Sequence, residues 1–174
     1  RVTGYGVVER VGGGVVHVAH GALRPAAAAS MSTRLSCIHA GLLEVIACHG
    51  PDVAAIERVF IATNPRSALV LGQARGAALA ALGSARLEVA EMAAREVKKA
   101  VVGSGAASKQ QVQAMVARLL ALSVLPASDA ADALAIAICH AHAGRLLGVG
   151  VRARGRRPRR GRRSGRTGSP ARRR

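Results

Sequence analysis

Aromatic side chains are almost missing from this 174-residue chain: Tyr5 and Phe60 are the only two. Half of the residues are nevertheless hydrophobic. A core must therefore be assembled from Ala, Val, Leu and Ile, with Gly where backbones approach closely. Cysteine is scarce as well. Cys37, Cys48 and Cys139 are odd in number and form no C-x-x-C pair, and the six histidines are scattered singly. No zinc site can be read from that spacing, and reduced thiols in the cytoplasm are the plainer expectation. His140 and His142 stand two apart on a helix, so they point to different faces and cannot form an i, i+4 metal pair. No apolar run approaches the ~20 residues of a membrane span, and no signal peptide opens the chain. Val102–Gly105 is glycine-rich but lacks the G-K-[ST] ending of a phosphate loop, so it reads as a turn.

Acidic residues are in deficit too, 9 against 26 basic, for a net charge of +17. The excess is unevenly spread. Residues 151–174 hold 12 of the basic residues and no acid, which leaves 14 basic against 9 acidic in the remainder, or +5. A mildly basic domain carrying a strongly basic tail suits a polyanion, because each phosphate neutralised releases counterions. The length suits one domain with a genuine core and hardly two. We expect that domain over residues 1–148. Residues 149–174 form an Arg/Gly/Pro/Ser low-complexity tail that is expected to be disordered. It serves either as a clamp for DNA or RNA or as a dispensable extension.

Val2–Arg10 and Val15–Leu23 are β-rich, with Gly12–Gly14 as a hairpin turn. A helix is expected over about Ser32–Cys48, ended by Gly50-Pro51. The apolar run Val53–Ile56 reads as a strand buried on both faces, with Glu57 at its end. Asn64-Pro65 has the form of a helix start, the Asn as cap and the Pro at the first position, for a helix to about Leu82. Gly72 and Gly76 lie on one face of it, where a close neighbour would justify them. A strand at Leu87–Ala90, a short helix around Glu91–Lys99 and a Gly103–Gly105 loop follow. Ser108 and Gln111 form a capping box ahead of an amphipathic helix. Pro126 stops what precedes it, and Ser128 is placed to cap a buried last helix through about Leu146. This order of elements implies an α/β domain with a mixed sheet flanked by helices.

Asp129 and Asp132 stand three apart in the first turn of that last helix and so project from one side, ~5–6 Å apart at Cβ. Glu57 ends a strand. Like charges in apolar surroundings raise each other's pKa unless something positive compensates. A hard cation such as Mg²⁺ would do so and leave room for phosphate oxygens, and two ions can serve both oxygens of an in-line phosphodiester hydrolysis. Spacing alone equally allows a helix-start Asp that answers the macrodipole and a solvated strand-end Glu.

The surrounding words resemble the RuvC family of Holliday-junction resolvases. Arg1-Val-Thr-Gly-Tyr-Gly6, Ile56-Glu57-Arg-Val-Phe60, Ser67-Ala-Leu-Val-Leu-Gly-Gln-Ala-Arg-Gly76, Val97-Lys98 through Val101-Val102-Gly103, and Asp129-Ala-Ala-Asp-Ala-Leu-Ala-Ile-Ala137 match its segments in order and spacing, over roughly residues 1–143. The resemblance implies an RNase H-like fold, a mixed five-stranded sheet flanked by helices. It also implies a homodimer that nicks two opposing strands of a four-way DNA junction in recombination and repair. Such hydrolysis leaves 5′-phosphate and 3′-hydroxyl ends, and the branch-migration proteins RuvA and RuvB are the implied partners. Glu57, Asp129 and Asp132 fall on three of the family's four metal-binding carboxylates, for two Mg²⁺ per site with Mn²⁺ as the alternative. Phe60 falls on an aromatic that stacks at the opened crossover, although a core side chain is an equal reading. Lys98 and Lys109 match basic residues near the scissile phosphate, where exposed helical lysines would be the default. Gln73 and Arg75 are either structural or DNA-facing.

One departure stands out. The family's fourth carboxylate is an Asp in a first strand ahead of Arg-Val-Thr-Gly-Tyr-Gly, and this chain begins at Arg1. We expect an N-terminal truncation, with the first strand missing and activity impaired in the chain as it stands. A catalytically impaired junction-binding protein and a basic RNA-associated protein dominated by its tail are the rival expectations.

Overall fold

The computed structural model describes residues 2–58 and 64–146. Phe60 and the tail from 149 lie outside them. Strand β1 (Thr3–Val11) and strand β2 (Gly14–Leu23) form an antiparallel hairpin. Helix α1 (Met31–His49) leads to β3 (Val53–Arg58), then α2 (Pro65–Ser84) to β4 (Glu88–Ala93). Helices α3 (Ala94–Val102), α4 (Lys109–Leu119) and α5 (Ser128–Leu146) complete the order. Strands β3 and β4 pair in parallel, with helix α2 as the crossover that such pairing needs. The described strands therefore form two two-stranded sheets, one antiparallel and one parallel. Helix α5 packs against both of them and against α3 and α4.

The core is centred on α5. Leu134 and Ile138 are 0 % and 1 % exposed, and Val116 of α4 is 0 % exposed. Burying each such side chain stabilises the fold by about 1.5–3 kcal/mol. Ala130, Ala131 and Ala135 on the same helix are also buried, and their small size lets β1 come close. A Cβ on Gly6 would lie 2.8 Å from the Leu134 side chain, and one on Gly4 would lie 1.9 Å from the Asp129 carbonyl oxygen. The glycines of the Val2–Gly6 segment are thus what seats β1 on α5.

The hairpin is irregular at one place. Val7 faces Ala19 and Val8 faces His17, so Val18 is the extra residue of a bulge. The bulge shifts the strand's alternation by one and brings His17 and His20 to the same face, with His17 Nε2 and His20 Nδ1 2.8 Å apart. Burial and the neighbouring His20 both lower the basicity of His17.

Local helix signals appear where the sequence places them. The Asn64 side chain accepts from the backbone N–H groups of Arg66 and Ser67. The Ser108 hydroxyl accepts from Gln111 N–H, and the Gln111 side chain accepts from Ser108 N–H at 2.8 Å.

Four expectations need correction. The short helix around Glu91–Lys99 begins three residues later, because β4 runs on beside β3 to Ala93. The Glu96 carboxylate then accepts from Ala93 N–H at 3.0 Å to start α3. Ser128 is the first helical residue and not the cap, since Ala131 N–H already donates to the Ala127 carbonyl. Strand β3 is only partly buried along Val53–Ile56, because among the described strands only β4 pairs with it. Gly72 and Gly76 have no close neighbour, for a Cβ at either meets nothing within 4 Å among the described residues.

Candidate active site

Glu57 stands next to last in β3, and the start of α5 brings Asp132 towards it. Burial raises the Glu57 carboxyl above its ordinary value of 4.5, the Asp132 carboxylate raises it further, and Lys109 opposes the change. Although Glu57 is on the exposed side of the molecule, enough protein surrounds its carboxyl to weaken solvation of the charge. Residues far apart in sequence, at 57, 109 and 132, therefore share one electrostatic neighbourhood.

Lys109 is the first residue of α4, held there by the Ser108 cap. Its Nζ donates to Asp132 Oδ2 at 3.4 Å, and the two side chains are 73 % and 46 % exposed. An ion pair this open contributes about 0–1 kcal/mol. Lys109 is thus placed at the carboxylates without being locked to them.

The start of α5 is fixed from two sides. The Gln113 side-chain amide donates to the Pro126 carbonyl at 2.6 Å, tying the approach to α5 onto α4. On the other side Gly4 lies against the Asp129 backbone. Asp129 itself is partly buried, one turn before Asp132.

The donor chemistry suits a hard divalent cation, since carboxylate oxygens are the ligands Mg²⁺ and Mn²⁺ prefer. A cation between Glu57 and Asp132 would offset both the burial and the repulsion that raise the Glu57 carboxyl. No group of three His, Cys, Asp or Glu side chains close enough to hold a metal ion occurs among the described residues. The pair that couples is Glu57 with Asp132, two of the three acids named from the sequence. Lys98, on α3, is partly buried and makes no ion pair among the described residues. The Phe60 expectation falls outside the described residues.

Sequence reasoning passed over two residues. Gln113 looked like one more polar position on an amphipathic helix, and nothing local distinguishes it. Arg75 reads from the sequence alone as either structural or DNA-facing. Its Nη2 lies 2.7 Å from Glu91 Oε1, and its Nε donates to the Glu57 carbonyl at 3.3 Å. The sequence hides this contact because Glu91 reads as the start of a helix, whereas it lies in the strand beside β3.

Acids meeting at a strand end and a helix start, with a lysine beside them, suit metal-dependent phosphodiester chemistry. A family model described as crossover junction endodeoxyribonuclease RuvC matches residues 1–140. The chain belongs to the RuvC family. It is 54% identical over 149 residues to the crossover junction endodeoxyribonuclease RuvC of Janthinobacterium sp. (strain Marseille), covering 86% of this chain and 82% of that one. It is 55% identical over 143 residues to the RuvC of Acinetobacter baylyi, covering 82% and 78%. The structure of Thermus thermophilus RuvC in complex with Holliday junction substrate superposes with a TM-score of 0.77 at 31% identity, over 84% of this chain and 96% of that one. These matches make the α/β domain RNase H-like, as the resemblance implied. No helix among the described residues is long and apolar enough to cross a membrane.

Proposed function

We propose that this protein resolves four-way DNA junctions by paired nicks, with Glu57, Asp129 and Asp132 holding the divalent cation on which the reaction depends. As a member of its family it is a crossover junction endodeoxyribonuclease, a hydrolase of DNA recombination and repair. The observation that carries the site assignment is the meeting of Glu57, Lys109 and Asp132: Lys109 Nζ lies 3.4 Å from Asp132 Oδ2, and the Glu57 carboxyl is raised by burial first and then by Asp132, 75 residues away in sequence.

Bound there, Mg²⁺ supplies Lewis acidity and charge neutralisation to a phosphodiester under in-line attack. Mn²⁺ is the alternative, and we assign two ions to the site. Glu57 and Asp132 would hold the cation from a strand and a helix that pack together. Asp129 completes the acidic face one turn earlier. Lys109, free to leave Asp132, takes a phosphate oxygen and draws the strand into place. Lys98 supplies a second phosphate contact, and Phe60 stacks on a base at the crossover. Residues 1–148 form the nuclease domain and 149–174 the basic tail.

A twofold-symmetric junction needs two cuts, and a C₂ homodimer supplies two sites facing it. RuvA and RuvB are the proposed partners, and the cytoplasm is the proposed location. The test is incubation of the protein produced from its complete gene with synthetic four-way junctions and Mg²⁺. Symmetric nicks in opposing strands, with linear duplex of the same sequence left intact, are the expected outcome. Equal cutting of the duplex would overturn the proposal.

A further inference from the structure

We propose that Arg75 is a positioning residue for Glu57, acting through the backbone of β3; this rests on Glu57 being a metal-binding acid. In the parallel ladder Ile56 faces Glu91 and Glu57 faces Met92, so the ends of β3 and β4 lie side by side. The guanidinium of Arg75, reaching from the middle of α2, spans both. One arm is fixed by the Glu91 carboxylate at 2.7 Å, a charge-assisted bond from a side chain only 22% exposed. Fixed in that way, the planar group presents Nε to the Glu57 carbonyl at 3.3 Å. Only a guanidinium offers two donors in a rigid fork, so one side chain can hold the strand end and its neighbour together.

The consequence lies at the carboxyl and not at the carbonyl. Glu57 is next to last in β3, where a ladder frays most easily. Holding its carbonyl fixes the backbone dihedrals there and hence the direction of the Cα–Cβ bond. That direction sets the distance from the Glu57 carboxylate to Asp132, and so the size and shape of the space for a cation. Arg75 is also spoken for by these two acceptors, which argues against a direct contact with DNA.

The test is Mn²⁺ binding to the DNA-free protein from its complete gene, followed by electron paramagnetic resonance, for the wild type, Arg75→Ala, Arg75→Lys, Glu91→Gln and Asp132→Asn. Loss of a group that orients a metal ligand weakens binding roughly tenfold to a hundredfold, and that is the loss expected for Arg75→Ala. Arg75→Lys keeps the charge but loses the fork, and it should group with the alanine variant. Glu91→Gln neutralises a side chain that is 43% exposed, and it should weaken Mn²⁺ binding by several-fold in the same direction. Junction affinity without metal should be unchanged in both Arg75 variants. Wild-type Mn²⁺ affinity in Arg75→Ala, or in Glu91→Gln should the former not fold, would overturn the inference. A loss of metal-free junction affinity in the folded Arg75 variants would overturn it too, by making Arg75 a DNA contact. Asp132→Asn separates the levels. If it also binds Mn²⁺ as the wild type does, the site assignment itself fails. If it alone loses binding, only the role of Arg75 fails.

Discussion

Asp132→Asn should abolish junction nicking, by at least about 10³-fold (roughly 4 kcal/mol of barrier), while junction binding persists. The amide keeps the shape of the side chain and removes only its charge. Little stability is at risk, because the ion pair to Lys109 is open to solvent and contributes about 0–1 kcal/mol. What is lost is one of the two acids whose mutual repulsion marks the place for a cation. The Glu57 carboxyl should move back towards its ordinary value in this variant, although not all the way, since burial is the larger cause of its shift. Single-turnover cleavage of a synthetic four-way junction measures the first effect, and gel-shift binding in the absence of metal checks that the surface is intact. Retention of more than a tenth of the wild-type rate would contradict the assignment.

Gly4→Ala should be nearly as damaging, although Gly4 carries no chemistry. Its Cβ would fall 1.9 Å from the Asp129 carbonyl oxygen, 2.3 Å from the carbonyl carbon and 3.0 Å from Ala130 N. All three are backbone atoms, so no side chain can turn aside. Either β1 lifts or the first turn of α5 shifts, at a cost of about 1–3 kcal/mol typical of overpacking. That first turn bears Asp129 and Asp132. A displacement near 1 Å at a catalytic group can cost about 10²-fold in rate, and that is the loss expected even where the variant remains folded. Gly72→Ala is the matched control. Nothing lies within 4 Å of its added Cβ among the described residues, and alanine in a helix interior is favoured over glycine by about 0.5–1 kcal/mol. Chemical denaturation together with junction cleavage distinguishes the two. A Gly4→Ala protein with wild-type stability and rate would show that β1 does not sit against α5 as described.

Much of the fold was legible because its signals are local. Asn64 with Pro65 and Ser108 with Gln111 satisfy amides two or three residues away, and their helices start where the sequence says. The Gly12–Gly13 turn likewise leaves the hairpin little choice. What was misplaced depends on distant partners. The boundary between β4 and α3 is decided by the ladder to β3, and Glu91 on that strand is turned to use by Arg75 from helix α2. The partial burial of β3 follows from strand pairing, which no short window records.

The site divides in the same way. That Asp129 and Asp132 share a helix face follows from their spacing, but Lys109 meets Asp132 across 23 residues and Glu57 meets it across 75. Only the family resemblance brought these residues together in advance. The packing that keeps them there (Gln113 on the Pro126 carbonyl, Gly4 on the Asp129 backbone) had no signature at all.

The central claim, that Glu57 and Asp132 are balanced by a divalent ion, has a direct measurement in the titration of Glu57. A raised carboxyl pKa means that the folded protein binds this proton more tightly than the unfolded chain does. The stability it contributes is present below the ordinary value of 4.5 and is lost as pH rises through the folded value. Above that folded value the metal-free protein carries an ionised Glu57 at a disadvantage, which a cation would relieve. Carbon-13 NMR of the Glu57 carboxyl, titrated without and with saturating Mg²⁺, reads this directly. The account predicts a midpoint above 4.5 without metal and a clear fall when Mg²⁺ is added. A midpoint at the ordinary value that Mg²⁺ leaves unmoved would contradict it.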